Sequence, residues 1–214
     1  GKLDEAVDAY QRALAAKPDY VLALNNLGVC LQEQDRVDEA IEAYRKALTH
    51  QPDYAEAHNH LGVALQLQGN LDAAVASYRQ ALSIAPKYVD ALNNLGNAHR
   101  DNKDLDAASA AYRSALRIKP NYIIAHNNLG VALKEQVKLD EAVAAYKQAL
   151  ALDPDYTEAL SNLGSALQAQ GKPEDAVAAY RKALASNPGY IEAQINLGNL
   201  YQEQGQFDEA EEAY

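Results

Sequence analysis

Residues 21–54 read VLALNNLGVCLQEQDRVDEAIEAYRKALTHQPDY, and two helices are written in that one stretch. Leu24, Leu27, Gly28 and Leu31 fall at i, i+3, i+4 and i+7, the spacing of one face of an α-helix. A polar break follows at Asp35-Arg36. Asp38 then opens a second helix, where a carboxylate is expected to cap free N–H groups and to complement the positive helix end. Ala40, Ile41, Tyr44, Ala47 and Leu48 form the second apolar stripe. Pro52 ends it, because proline cannot donate the next helical hydrogen bond.

Outward from this stretch the same pattern returns every 34 residues. Proline recurs at Pro18, Pro52, Pro86, Pro120, Pro154 and Pro188, and glycine at Gly28, Gly62, Gly96, Gly130, Gly164 and Gly198. One tyrosine series runs from Tyr10 through Tyr44 to Tyr214, and a second from Tyr20 to Tyr190. Pro173 alone is out of series, and it falls at a helix first turn, where proline is tolerated. The chain parses as a partial repeat (1–20, a second helix), full repeats at 21–54, 55–88, 89–122, 123–156 and 157–190, and an incomplete repeat at 191–214. One hairpin cannot bury its apolar face alone but a stack can, so the expected architecture is a single all-α solenoid. Gly28 and Ala40 are expected to let the two backbones of a hairpin approach closely, with Leu27 and its equivalents filling a continuous core.

Composition narrows the function. The 214 residues carry a formal charge of −11, which argues against a nucleic-acid or anionic-membrane binder because phosphates would be repelled. No apolar run approaches the roughly 20 residues of a membrane span, and no basic-then-apolar leader is visible from Gly1 on, so no targeting signal is expected. The expected compartment is the cytoplasm. Cys30 is the one cysteine, which excludes an internal disulfide framework and a multi-cysteine zinc site. No phosphate loop, nucleophile elbow or His-Glu-x-x-His motif occurs, so neither catalysis nor a cofactor is expected of these residues.

Leu24, Leu27-Gly28, Leu31, Ala40, Tyr44, Ala47 and Pro52 resemble the tetratricopeptide repeat (TPR), and the likeness covers the whole chain. His58 and His126 depart from it at the Leu24 position and His99 at the Leu31 position. The resemblance implies a right-handed superhelix of antiparallel helix pairs, whose first helices line a concave groove that binds peptides or protein segments without catalysis.

Two columns on the first helices serve neither core nor turn. One reads Asn26, His60, Asn94, Asn128, Asn162, Asn196; the other reads Asn25, Asn59, Asn93, Asn127, Ser161, Ile195. Asparagine inside a helix costs about 0.7 kcal/mol relative to alanine, so its repetition needs a reason. An amide can accept from a backbone N–H and donate to a backbone C=O at once. First helices lie roughly 10 Å apart and an extended peptide rises about 3.3 Å per residue. One amide per repeat would therefore meet a guest backbone about every third residue. The other reading has these amides bonding between neighbouring helices. The Asn-Leu-Gly run and the Pro-x-Tyr unit end are similar to the repeats of O-GlcNAc transferases, which implies a substrate-selecting arm with Asn26, Asn94, Asn128, Asn162 and Asn196 as its ladder. A clamp for acidic tails, known from co-chaperone repeats, needs Lys or Arg where these columns have none, and the neighbouring column Leu22, Glu56, Asp90, Ile124, Glu158, Glu192 is acidic or apolar.

The remaining chemistry is sparse. His58 and His60 stand two apart on a helix and do not face each other, so no metal site is expected. His99 and Cys30 occupy slots otherwise held by Leu and Ala and are expected in the core. The expected partner is an extended protein or peptide segment. Self-association through uncapped end repeats is a further expectation.

Overall fold

The computed structural model describes residues 1–213 and contains thirteen α-helices there and no strand. In chain order they are α1 (Lys2–Ala16), α2 (Val21–Glu33), α3 (Val37–His50), α4 (Ala55–Leu67), α5 (Leu71–Ile84), α6 (Val89–Asp101), α7 (Leu105–Ile118), α8 (Ile123–Glu135), α9 (Leu139–Leu152), α10 (Thr157–Ala169), α11 (Pro173–Ser186), α12 (Ile191–Glu203) and α13 (Phe207–Ala213). This is a TPR-like solenoid of helix pairs. Tyr214, the last of its tyrosine series, lies outside the described residues.

The chain divides into two compact units, Gly1–Ala111 and the residues from Tyr112 onward. In the first, α2 packs on α3 and α4 on α5 as hairpins, and α3 and α5 each pack on the first helix of the next pair. The first helices α2, α4 and α6 also touch in series, whereas α3 and α5 do not touch. The second unit repeats the arrangement: α8, α10 and α12 touch in series while α9 and α11 do not. In each unit, therefore, successive first helices lie closer together than successive second helices.

The break between the helices of a pair is a left-handed residue. Asp35, Gly69, Lys103, Val137, Gly171 and Gly205 all have positive φ. Around Asp35 the N–H of Arg36 reaches Leu31 O at 2.9 Å and the N–H of Asp35 reaches Gln32 O at 3.0 Å. That pair of bonds satisfies the carbonyls a helix end leaves open, and it is the Schellman ending. Three non-glycine residues thus hold a conformation that suits glycine.

At Gly28 the neighbour is a ring: a Cβ there would lie 2.5 Å from Cε1 of the wholly buried Tyr44. The glycine makes room for a ring. The same fit recurs at Gly62 with Tyr78, Gly130 with Tyr146 and Gly164 with Tyr180. One detail differs from the sequence expectation: Asp38 does not cap α3, whose N-cap is Arg36 with no side-chain cap bond. Its carboxylate accepts instead from Gln68 Nε2 at 2.6 Å, and Asp4 and Asp140 accept likewise from Gln34 and Gln170 at 2.9 and 2.8 Å. Asp38 and Asp140, inside the first turn, thus bond to the helix end of the next pair, and Asp4 bonds the Gly1 ammonium as well.

The core slots given to His99 and Cys30 are occupied as buried and half-buried positions respectively. Burial holds the His99 ring below its ordinary pKa, with Asp104 opposing the shift and Arg79 adding to it. Burial and then Glu33 push the Cys30 thiol up.

Candidate functional site

The candidate site is the outward stripe of the first helices. Leu22, Asn26, Val29 and Glu33, at i, i+4, i+7 and i+11, share one face of α2 and are exposed or half-buried. The structure separates the two asparagine columns that the sequence places together. Asn25, Asn59, Asn93 and Asn127 are buried, as is Ser161, so this column lies beneath the surface. Ile195 at its end is exposed. Asn26 is exposed, and His60, Asn94, Asn128, Asn162 and Asn196 are half-buried along the surface.

The two columns are bonded to each other across repeats. In the first unit, Asn94 Nδ2 donates to Asn59 Oδ1 at 3.1 Å, and His60 Nδ1 meets Asn25 Oδ1 at 2.9 Å. In the second, Asn162 Nδ2 donates to Asn127 Oδ1 at 3.0 Å, while Asn127 Nδ2 donates to Glu158 Oε1 at 2.8 Å. Asn94 and Asn162 are thus each held from behind by a buried amide of the preceding repeat. Asn94 and Asn162 each use one N–H in this way, and an amide has a second N–H and a carbonyl with two lone pairs. At His60 the acceptor Asn25 Oδ1 fixes the proton on Nδ1 and leaves Nε2 as the ring's acceptor. Burial lowers the His60 pKa and Glu56 works against that shift.

Tyrosines and carboxylates flank this row where α10 and α12 begin. Tyr156 Oη donates to Glu158 Oε2 at 3.0 Å, and Tyr190 Oη to Glu192 Oε2 at 2.7 Å. Burial first, then these carboxylates, push both phenols well up. These two tyrosines of the column after proline are thus tied to the first helix that follows them.

His58 and His126 have a structural role. Their Nε2 atoms meet the carbonyls of Pro52 and Pro120 at 2.9 and 2.8 Å, and Gln194 donates to Pro188 O at 2.9 Å. A polar side chain at the Leu24 position thus satisfies the serial proline's carbonyl. Among the described residues no group of His, Cys, Asp and Glu could hold a metal ion, and no helix is long and apolar enough to cross a membrane.

Comparison with known proteins follows the same lines. Sequence profiles of the tetratricopeptide repeat match residues 19–87 and 167–214, and a TPR repeat profile matches 1–35, 96–137 and 138–171, by itself more than half of the chain. No curated protein matches the chain. Among solved structures, the type IV pilus biogenesis factor PilW is similar at 23% identity and a TM-score of 0.83, with 90% of each chain covered. PilF of Pseudomonas aeruginosa is similar at 21% identity and a TM-score of 0.78, over 100% of this chain and 90% of that one. YrrB, described as a TPR protein with an unusual peptide-binding site, is similar at 21% identity and a TM-score of 0.68, over 87% and 96%. These likenesses carry the fold. The further likeness to O-GlcNAc transferases gains no support from them.

Proposed function

The chain belongs to the tetratricopeptide repeat family, and on that premise we propose that it is a scaffold whose first-helix face holds an extended protein segment by its backbone. The observation that carries this reading is the bond from Asn162 to the buried Asn127, matched in the first unit by Asn94 and Asn59. A surface amide fixed from behind keeps its orientation without a guest, so less freedom is lost on binding. Its remaining N–H and carbonyl suit a peptide bond, and their repetition suits an extended chain. The family's use as an interaction fold and the peptide-binding site named for YrrB support the same reading.

The test replaces Asn94 and Asn162 with Ala and measures retention on an array of short immobilised peptides of unbiased composition. The variant should lose most of the peptides the parent retains, while its far-ultraviolet dichroism stays helical. Undiminished retention would mean that the amides serve only the stack.

Self-association is a second reading, favoured by the exposure of Phe207 and Ile191. Light scattering over a dilution series tests it, and a monomer at every concentration removes it.

A further inference from the structure

The carboxylate column beside the ladder has a partner column that explains its composition. The residue two before each member is a tyrosine, and the residue five before it is in turn Lys17, Gln51, Ala85, Lys119, Asp153 and Asn187. Lysine stands only in the two repeats whose column residue is apolar, Leu22 and Ile124. There the chain's own ammonium lies over the ring, Lys17 at 5.5 Å from the Tyr20 centroid and Lys119 at 4.9 Å from that of Tyr122. Where the column residue is acidic, no lysine precedes the tyrosine in this way. The protein thus shows a cation seated on this ring in two repeats and offers a ring with a carboxylate in the others.

We propose that Tyr156 with Glu158, and Tyr190 with Glu192, receive lysine or arginine side chains of an extended cationic segment, spaced every third residue along it. The proposal rests on the reading of this face as a peptide groove and names the chemistry of the guest. Adjacent first helices are roughly 10 Å apart, and an extended chain covers that in about three residues, which sets the spacing. A cation over a tyrosine face is attracted by the ring's quadrupole, and the carboxylate adds charge complementarity. Both carboxylates are already oriented, Glu158 by Tyr156 Oη and Asn127 Nδ2, Glu192 by Tyr190 Oη. The two sites also sense each other: after burial and Glu192, the Tyr190 phenol is pushed up by Glu158 and Tyr156 of the preceding repeat. No base occurs from 191 to 214, so nothing there neutralises the second pair. In the first unit Tyr54 with Glu56 has the same composition, but Lys87 lines the hollow between Glu56 and Tyr88, so the second unit is the sharper test.

The experiment is fluorescence anisotropy of the full chain with three labelled peptides, Lys-Ala-Ala, Gln-Ala-Ala and Glu-Ala-Ala repeats of equal length. The lysine peptide should bind at least tenfold tighter than the glutamine peptide at low salt, with the glutamate peptide weakest. Salt should erase the difference, since exposed charges are screened. Replacing Glu158 and Glu192 with Gln should remove the preference. Glu192→Gln alone, which leaves the Asn127 bond in place, should remove part of it. Asn187→Lys, which sets an ammonium three residues before Tyr190 as Lys119 stands before Tyr122, should weaken the lysine peptide about fivefold, and Asn187→Gln should not. Equal binding of the lysine and glutamine peptides, or a preference that survives Glu158→Gln with Glu192→Gln, overturns the cation pairing. In that case peptide binding that still falls with Asn162→Ala leaves the groove reading standing. Binding of no peptide, or binding indifferent to Asn162→Ala, overturns the groove and the pairing together.

Discussion

Gly28 and Tyr44 fit as socket and ring: a Cβ on the glycine would fall 2.5 Å from Cε1, 2.8 Å from Cδ1 and 2.8 Å from Cζ of a side chain with no exposed surface. The ring has nowhere to go, since its hydroxyl is also tied to Gln32 Oε1 at 3.4 Å. Gly28→Ala should therefore destabilise by about 1–3 kcal/mol through overpacking. Gly62→Ala, Gly130→Ala and Gly164→Ala should behave alike, because Tyr78, Tyr146 and Tyr180 stand at the same distances within 0.1 Å. Denaturant melts of the four variants check this, and an unchanged midpoint would show that the ring can shift.

Val137 occupies a left-handed turn with φ of 63° and is 77% exposed. A β-branched residue in that region is strained and its side chain gains little from packing. Val137→Gly should stabilise the fold by about 1 kcal/mol, the relief of strain outweighing the greater freedom of the unfolded glycine. Asp35→Gly at the equivalent turn should gain less, because aspartate tolerates this conformation better. Equilibrium unfolding of both variants gives the order.

His99 stands in a buried slot that is leucine in four of the other repeats aligned with it, Leu31, Leu65, Leu133 and Leu167. Its pKa is lowered, chiefly by burial, as is that of His60. A histidine that is harder to protonate when folded than at its ordinary value of about 6.5 lets the unfolded chain take up more protons as pH falls. Stability is thus full above that ordinary value and is lost as pH drops from it toward the folded pKa. His99→Leu should flatten this acid-side loss and stabilise the fold by about 1 kcal/mol. Thermal melts across that window check the sign, and a parent that gains stability on acidification would refute it.

Asn127 links three residues, accepting from Asn162 and donating to Glu158 while 1% exposed. Asn127→Leu should cost about 1–3 kcal/mol, because the partners left behind lose bonds made away from bulk water. It should also weaken peptide retention although Asn127 itself is out of reach of a guest. Asn26→Ala, at an exposed site whose one bond is 3.4 Å long, should change stability by less than about 0.5 kcal/mol. Comparing the two by melting and by peptide capture separates orientation of the ladder from contact with the guest.

Much of the fold was written locally. The apolar spacing of Leu24, Leu27 and Leu31, the turn at Asp35 or Gly69 and the proline at Pro52 each act within a few residues, and their return every 34 residues implies stacking. What periodicity could not supply is the partner in another repeat. Neighbouring residues on a helix differ by about 100°, so a sequence shows that Asn25 and Asn26 point differently but not which meets a neighbouring helix. Only the stack decided that Asn25 goes under and Asn26 stays on the surface, that Asp38 answers Gln68 and leaves its own helix start uncapped, and that Gly28 makes room for a ring. Local signals name a face; the contact on that face belongs to residues some thirty positions away, brought there by burial of the shared core.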